Sequence, residues 1–150
     1  MRLKTKADPY ESDLHAWSFD QAQKLRERRY DSIDPEHIAE ELESLGKSEQ
    51  DRITRHFTLY LMHRLKWDYQ PGMRTSSWTR TINEQHRQAI KVFSKNPSLR
   101  PHLKDLYEDA YLSARVEALN ETGLEDEAMP LACPYPVEVC FPEFFEAIPS

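Results

Sequence analysis

The chain has 150 residues, 39% of them apolar and 31% charged, with a formal net charge of -6; this is one domain's worth of sequence with enough apolar side chains for a core. A mean hydropathy of -0.80 and the lack of an apolar run near the ~18 residues of a membrane span exclude a transmembrane reading, and the start MRLKTKAD has no apolar signal core, so a cytoplasmic protein is expected. The three glycines, Gly46, Gly72 and Gly123, are too few for a phosphate-cradling loop, a dinucleotide fingerprint or a hairpin-rich β fold.

Helix punctuation is strong along the chain. Asp8-Pro9 sets an N-cap carboxylate before a proline at the first helical position, and Leu14, Trp17, Ala22 and Leu25 follow as an apolar stripe, predicting a helix from about Pro9 to Arg29. Asp34-Pro35-Glu36 repeats the start signal. Ile38, Leu42, Leu45, Ile53, Phe57, Tyr60 and Trp67 then keep helical phase through Gly46, predicting one long helix from Pro35 to about Trp67 rather than two with Ser48 as a new cap. Pro71 and Gly72 end it, and a loop to about Ser76 leads into a third helix marked by Trp78, Ile82, Ala89, Ile90 and Phe93. Asn96-Pro97-Ser98 stops that helix and starts a fourth, with Leu103, Leu106, Tyr107, Ala110 and Ala114 facing inward and Gly123 as its terminator. Half of the ten prolines fall beyond Met129. No long helix fits there, but Tyr135, Val137, Val139, Phe141, Phe144, Phe145 and Ile148 predict a tail that wraps the helices.

Charge is sharply partitioned. Residues 8–51 carry 5 basic and 13 acidic side chains, residues 52–104 carry 11 and 2, and residues 105–150 carry 1 and 11. The basic middle asks either for complementary helices within the fold or for an anionic partner. Arg80, Arg87 and Lys91 recur on one face of the third helix beside Trp78, a composition that suits phosphates and a stacked base; the acidic flanks and a pI of about 5.5 favour internal complementarity.

Signals for chemistry are weak. Cys133 and Cys140 have no metal-ligand spacing and read as two reduced thiols, with a disulfide as the alternative. Glu49, His56 and His63 are a heptad apart, too far along a helix to share one ion, and the Glu-x-x-His pairs of di-iron bundles are missing, Asp34 and His37 being the nearest approach. His15, His56, His63 and His86 are therefore expected to be solvated or hydrogen-bonded within the fold. Ser76-Ser77 precedes a helix, where capping is a serine's default task. The stretch from His63 to Pro71, with Arg74 and Trp78, is more unusual: Trp67 and Trp78 are placed to stack on guanidinium groups such as Arg74, either plugging a helix corner or gripping a partner.

Tyr10-Glu11-x-Asp13-x-x-Ala16-Trp17, Glu40-Glu41-Leu42-Glu43-x-Leu45-Gly46 with Glu49, His63-x-Leu65-Lys66-Trp67-x-Tyr69-Gln70-Pro71, Ser77-Trp78, Pro97-Ser98-Leu99, Glu121-Thr122-Gly123-Leu124 and Cys133-Pro134-Tyr135 together resemble the bacterial family catalogued as domain of unknown function 29. The resemblance spans about residues 10–135 and implies a helical bundle with no established activity, substrate or cofactor. It departs at Gln85-His86-Arg87, where a histidine separates a glutamine and an arginine that the family often has adjacent, and beyond Tyr135. It marks Glu40, Glu41, Glu49, His63, Lys66, Gln70 and Arg74 as a shared polar set, to be read as a site or as a structural network.

The resulting expectation is an all-α single domain over residues 1–150: an antiparallel bundle of about four main helices, its core at about 9–124 and a proline-rich wrap at about 125–150. A protein-binding or regulatory module, with a protein partner or self-association, leads the functional readings. Nucleic-acid binding through residues 74–104 is second, and an enzyme with an unrecognised polar site is third. No metal, cofactor or membrane is expected; Trp67, Arg74, Trp78, Arg80, Arg87 and Lys91 are the candidate partner-binding residues.

Overall fold

The computed structural model describes residues 8–146, which are mostly helical with no strand among them. The basic start at residues 1–7 and Ile148 of the expected wrap lie outside the described residues. The chain divides into two compact units, one up to Gly46 and one from Lys47 onward.

The first unit opens with α1 (Pro9–Ser12) and α2 (Leu14–Arg26). The single helix expected from Pro9 to Arg29 is thus broken at Asp13. Asp13 sits at φ -157° and its carboxylate accepts from Ala16 N at 3.0 Å, so the side chain that could have been an interior helix residue caps a new helix instead. The helix also ends early, because Arg28 adopts φ 57°, while Arg28 N and Arg29 N donate to the carbonyls of Leu25 and Lys24. That is the closure normally made by a glycine. A short 3-10 turn (Tyr30–Ser32) leads to Asp34, where α3 (Pro35–Tyr69) begins. Gly46 interrupts nothing, as expected, since an interior glycine costs only about 1 kcal/mol against the hydrogen-bond ladder on either side.

In this unit the expected apolar stripe is mostly uncovered. Trp17 is buried, but Leu14, Leu25, Leu42 and Leu45 are exposed, as is Phe19. Helical period alone locates a face; it does not supply what covers the face.

The second unit packs the rest of α3 with α4 (Ser76–Lys95) and α5 (Leu103–Thr122). Glu49 meets Asn96 and His56 meets Gln85, so α4 runs antiparallel to α3; Phe57 meets Tyr107 and Lys66 meets Glu121, so α5 runs alongside α3 in the same sense. Thr75, not Ser76 or Ser77, caps α4, its hydroxyl accepting from Trp78 N at 3.4 Å. The fourth helix begins as a 3-10 segment (Pro97–His102) and becomes α-helical only from Leu103. Pro101 accounts for the delay: it has no N–H to donate and disfavours the α region at Arg100. Gly123 ends α5 at φ 69°, the left-handed position foreseen for it.

The tail wraps this unit. Met129, Tyr135, Val137, Phe141 and Phe144 are buried together with Ile53, Phe57, Tyr60, Leu61 and Leu65 of α3, while Val139 and Phe145, also expected inside, face outward. A one-turn α6 (Val137–Cys140) explains the first of these, since residues two apart on a helix point to different sides. Phe141 stacks on Phe144 at 5.0 Å and meets Phe57 edge-on at 5.3 Å. Polar clamps fix the wrap: Tyr107 Oη donates to the Tyr135 carbonyl at 2.9 Å, Tyr111 Oη to that of Pro130, and Tyr135 Oη to Asp68 at 2.6 Å. Cys133 and Cys140 are both free thiols.

Candidate functional site

Two groups of polar and aromatic side chains stand out, one in each unit. The first is assembled by the helix starts of the N-terminal unit. Asp34 caps α3, its Oδ1 accepting from His37 N at 3.4 Å while its Oδ2 meets His37 Nδ1 at 2.6 Å and Trp17 Nε1 at 3.3 Å. Gln21, buried, accepts from Asp34 N at 2.7 Å and holds the cap in place. A carboxylate only accepts, so Nδ1 is the protonated ring nitrogen and Nε2 looks outward. It stands 3.9 Å from Oδ2 of Asp8, the cap of α1. The Tyr10 ring stacks flat on the imidazole at 3.9 Å, and its hydroxyl donates to Glu41 at 2.7 Å.

The electrostatics follow from these bonds. The Asp34 hydrogen bond raises the His37 pKa against the opposing effect of burial, with the negative charges of Asp34, Asp8 and Glu40 adding to it. The same bond lowers the Asp34 carboxyl. The Tyr10 phenol is pushed up to about 12, chiefly by its bond to Glu41. The donor atoms of Asp8, Asp34 and His37 all lie within 4.8 Å of one another.

The second group is the corner where α3 ends. Lys66 Nζ pairs with Glu121 at 2.7 Å and lies 4.7 Å over the Trp78 ring; Gln70 Nε2 donates to the Thr122 carbonyl at 3.3 Å. Arg74 Nε donates to the Trp67 carbonyl at 2.8 Å, and its guanidinium lies 4.6 Å over the Trp67 ring. Each of these two tryptophans thus has its own cation, and Lys66 rather than Arg74 serves Trp78. These contacts fasten the end of α3 to the end of α5 and the start of α4.

The remaining expected site residues have separate partners. Glu41 bonds Tyr10 in the first unit, Glu49 holds Asn96 at 2.8 Å and Arg52 at 3.3 Å, and His63 Nδ1 turns back to the Leu59 carbonyl at 2.9 Å. Glu40 is exposed. On α4, Arg87 is bound bidentately by Glu84, whereas Arg80 and Lys91 are exposed with no ion-pair partner among the described residues. Between the basic middle and the acidic C-terminal segment, Lys66 pairs with Glu121 at 2.7 Å, and His86 Nε2 stands 3.9 Å from Glu143. His56 and His86 are satisfied within the fold by Gln85 Oε1 at 2.6 Å and the Cys140 carbonyl at 2.7 Å.

The residues that sequence reasoning passed over are Asp8, Tyr10 and His37 as a group, and Arg115. The signals for the first were the two Asp-Pro helix starts and the three-residue step from Asp34 to His37; nothing local links residue 8 to residue 37. Arg115 lies on an amphipathic helix at a position where an arginine is ordinarily solvated.

The profile of the family described as Domain of unknown function DUF29 matches residues 9–145. The chain belongs to this family. No curated protein and no solved structure matches it. The match takes in both groups of the DUF29 domain, from Tyr10 and Trp17 to Trp78 and Tyr135, except Asp8, which precedes it. Among the described residues no helix of the DUF29 domain is long and apolar enough to cross a membrane.

Proposed function

We propose that this chain is a protein-binding module, and that its N-terminal unit receives a partner helix with one apolar face and a basic rim. The supporting observation is the uncovered stripe. Leu14, Leu25, Leu42 and Leu45 are 48, 39, 64 and 62% exposed although their spacing is that of a buried face. Single exposed leucines are ordinary, but apolar residues at helical period on neighbouring helices are the form in which an amphipathic partner helix is received. Charge selects the partner. Residues 8–46 hold 4 basic and 11 acidic side chains, so a second copy brings like charge to the stripe and a basic helix brings the complement.

The test uses the full chain and its Leu42→Glu/Leu45→Glu variant, both exposed positions. Cross-linked capture from the source cells is expected to yield a protein whose cross-links fall within residues 14–45 and which the variant fails to retain, with the purified chain monomeric by sedimentation. Retention by the variant, cross-links elsewhere, a stable homodimer, or recovery of nucleic acid lost on Arg80 and Lys91 substitution would each overturn this reading.

A further inference from the structure

The geometry points to a divalent transition-metal site between His37 and Asp8 in the first unit, of the zinc type, with Asp34 as the carboxylate that orients the histidine. It stands apart from the protein-binding reading and uses different side chains.

Metal-binding imidazoles characteristically give their second ring N–H to a carboxylate, which fixes both the tautomer and the ring plane. His37 is held in that way. Its Nδ1–H is taken by Asp34 Oδ2 at 2.6 Å, and the same carboxylate is itself fixed by Trp17 Nε1, by His37 N and by its role as helix cap. The Tyr10 ring, stacked at 3.9 Å and tethered through its hydroxyl to Glu41, prevents rotation of the imidazole. What remains is the Nε2 lone pair, directed outward.

Across from Nε2 lies Oδ2 of Asp8 at 3.9 Å. That is too long for a hydrogen bond. Two ligands of one tetrahedral zinc, with metal–N and metal–O bonds of about 2.0–2.2 Å, stand about 3.4 Å apart. The gap therefore needs to close by about half an ångström to meet that geometry, and Oδ2 is the oxygen of the half-exposed Asp8 that does not take part in capping Tyr10 N, which Oδ1 holds at 3.0 Å. The Asp34 carboxylate lies within 4.8 Å of the other two groups and stays on the imidazole, adding negative charge beside the ion. The donor set of imidazole with carboxylate suits zinc and its neighbours; magnesium and calcium prefer oxygen alone. Because only one nitrogen and one carboxylate face the ion directly, its other positions remain open to water or to a ligand. Binding displaces the proton that Nε2 carries in the imidazolium form, and that proton passes to solvent.

The test is a titration of the full-length, tag-free chain with Zn2+ at neutral pH, read by calorimetry and by the ring-nitrogen shifts of all six histidines. One ion per chain is expected, at sub-millimolar concentration, with the His37 Nε2 resonance moving most and no comparable response to Mg2+. Asp8→Asn keeps the helix cap and is expected to weaken binding about 10-fold or more, as is the loss of the orienting carboxylate in Asp34→Asn; His37→Gln is expected to abolish it. Circular dichroism of each variant checks that the helices are retained, and Asp8→Asn stands as the readout if either of the others is not. No binding, binding unchanged in Asp8→Asn, equal response to Mg2+, or shifts centred on another histidine would overturn the site.

Discussion

Arg115 Nη1 lies 3.0 Å from Asp126 Oδ1, and this pair closes α5 against the loop that follows it. The guanidinium, buried in the second unit, also donates to the Met129 carbonyl at 3.0 Å and the Pro130 carbonyl at 3.1 Å. One side chain thus satisfies backbone acceptors that burial of Met129 removes from water. Arg115→Met is expected to leave the Met129 carbonyl unpaired, Pro130 keeping its bond from Tyr111, and to cost about 1–3 kcal/mol, seen as a lowered urea midpoint with helix content retained in the native baseline.

Asp126 gives the same pair a pH dependence. The Arg115 hydrogen bond and charge hold the Asp126 carboxyl below its usual value. A carboxyl depressed in the folded state contributes stability above its unfolded pKa and loses it as pH falls through the folded one. Stability is therefore expected to decline below about pH 4, and Asp126→Asn is expected to flatten part of that acid limb in denaturant titrations taken at successive pH values.

Tyr10 titrates at the other end. With its phenol held at about 12 by Glu41, its contribution is present below the ordinary tyrosine value of about 10 and is lost as pH rises from there through the folded value. Glu41→Gln removes the charged acceptor. Ultraviolet titration of tyrosinate is expected to show one phenol ionising earlier in that variant than in the parent chain.

The wrap carries much of the core of the second unit. Phe141 is fully buried and touches Phe57, Tyr60, Tyr107 and Phe144. Phe141→Ala is expected to cost about 3–5 kcal/mol, and equilibrium unfolding would show it; a midpoint near that of the parent would mean that the tail is dispensable to the core.

Two exchanges, one removing a glycine and one introducing a glycine, test backbone energetics, and both are expected to stabilise. A methyl group at Gly46 meets nothing within 4 Å, so Gly46→Ala is expected to raise stability by up to about 1 kcal/mol through helix propensity. At Arg28, with φ 57°, glycine relieves a left-handed backbone, and Arg28→Gly is expected to stabilise by about 1 kcal/mol. Thermal melts of the two variants decide both.

Much of the fold was written locally. Asp8, Pro9, Asp34, Pro35, Pro71, Asn96 and Gly123 mark helix ends because capping, a missing N–H and a left-handed turn are energies of a few neighbouring residues, and the structure has helix boundaries at each. Where local signals competed, as at Asp13 and Pro101, the boundary moved by a turn or so. The corner residues Lys66, Trp67, Arg74 and Trp78 were recognisable as a group because they lie within a dozen residues of one another in sequence.

Tertiary packing decided the rest. The apolar stripe of α3 runs unbroken in sequence from Ile38 to Trp67, yet Ile53, Phe57 and Tyr60 are buried while Leu42 and Leu45 are exposed, because burial depends on which other elements arrive to cover the face. The meeting of Asp8 with His37, of Lys66 with Glu121 and of Arg115 with the loop at Met129 links residues 29, 55 and 14 positions apart. Helical periodicity fixes neighbours three and four residues away; a bond across such separations exists only once loops have closed and the chain has committed its entropy to one arrangement.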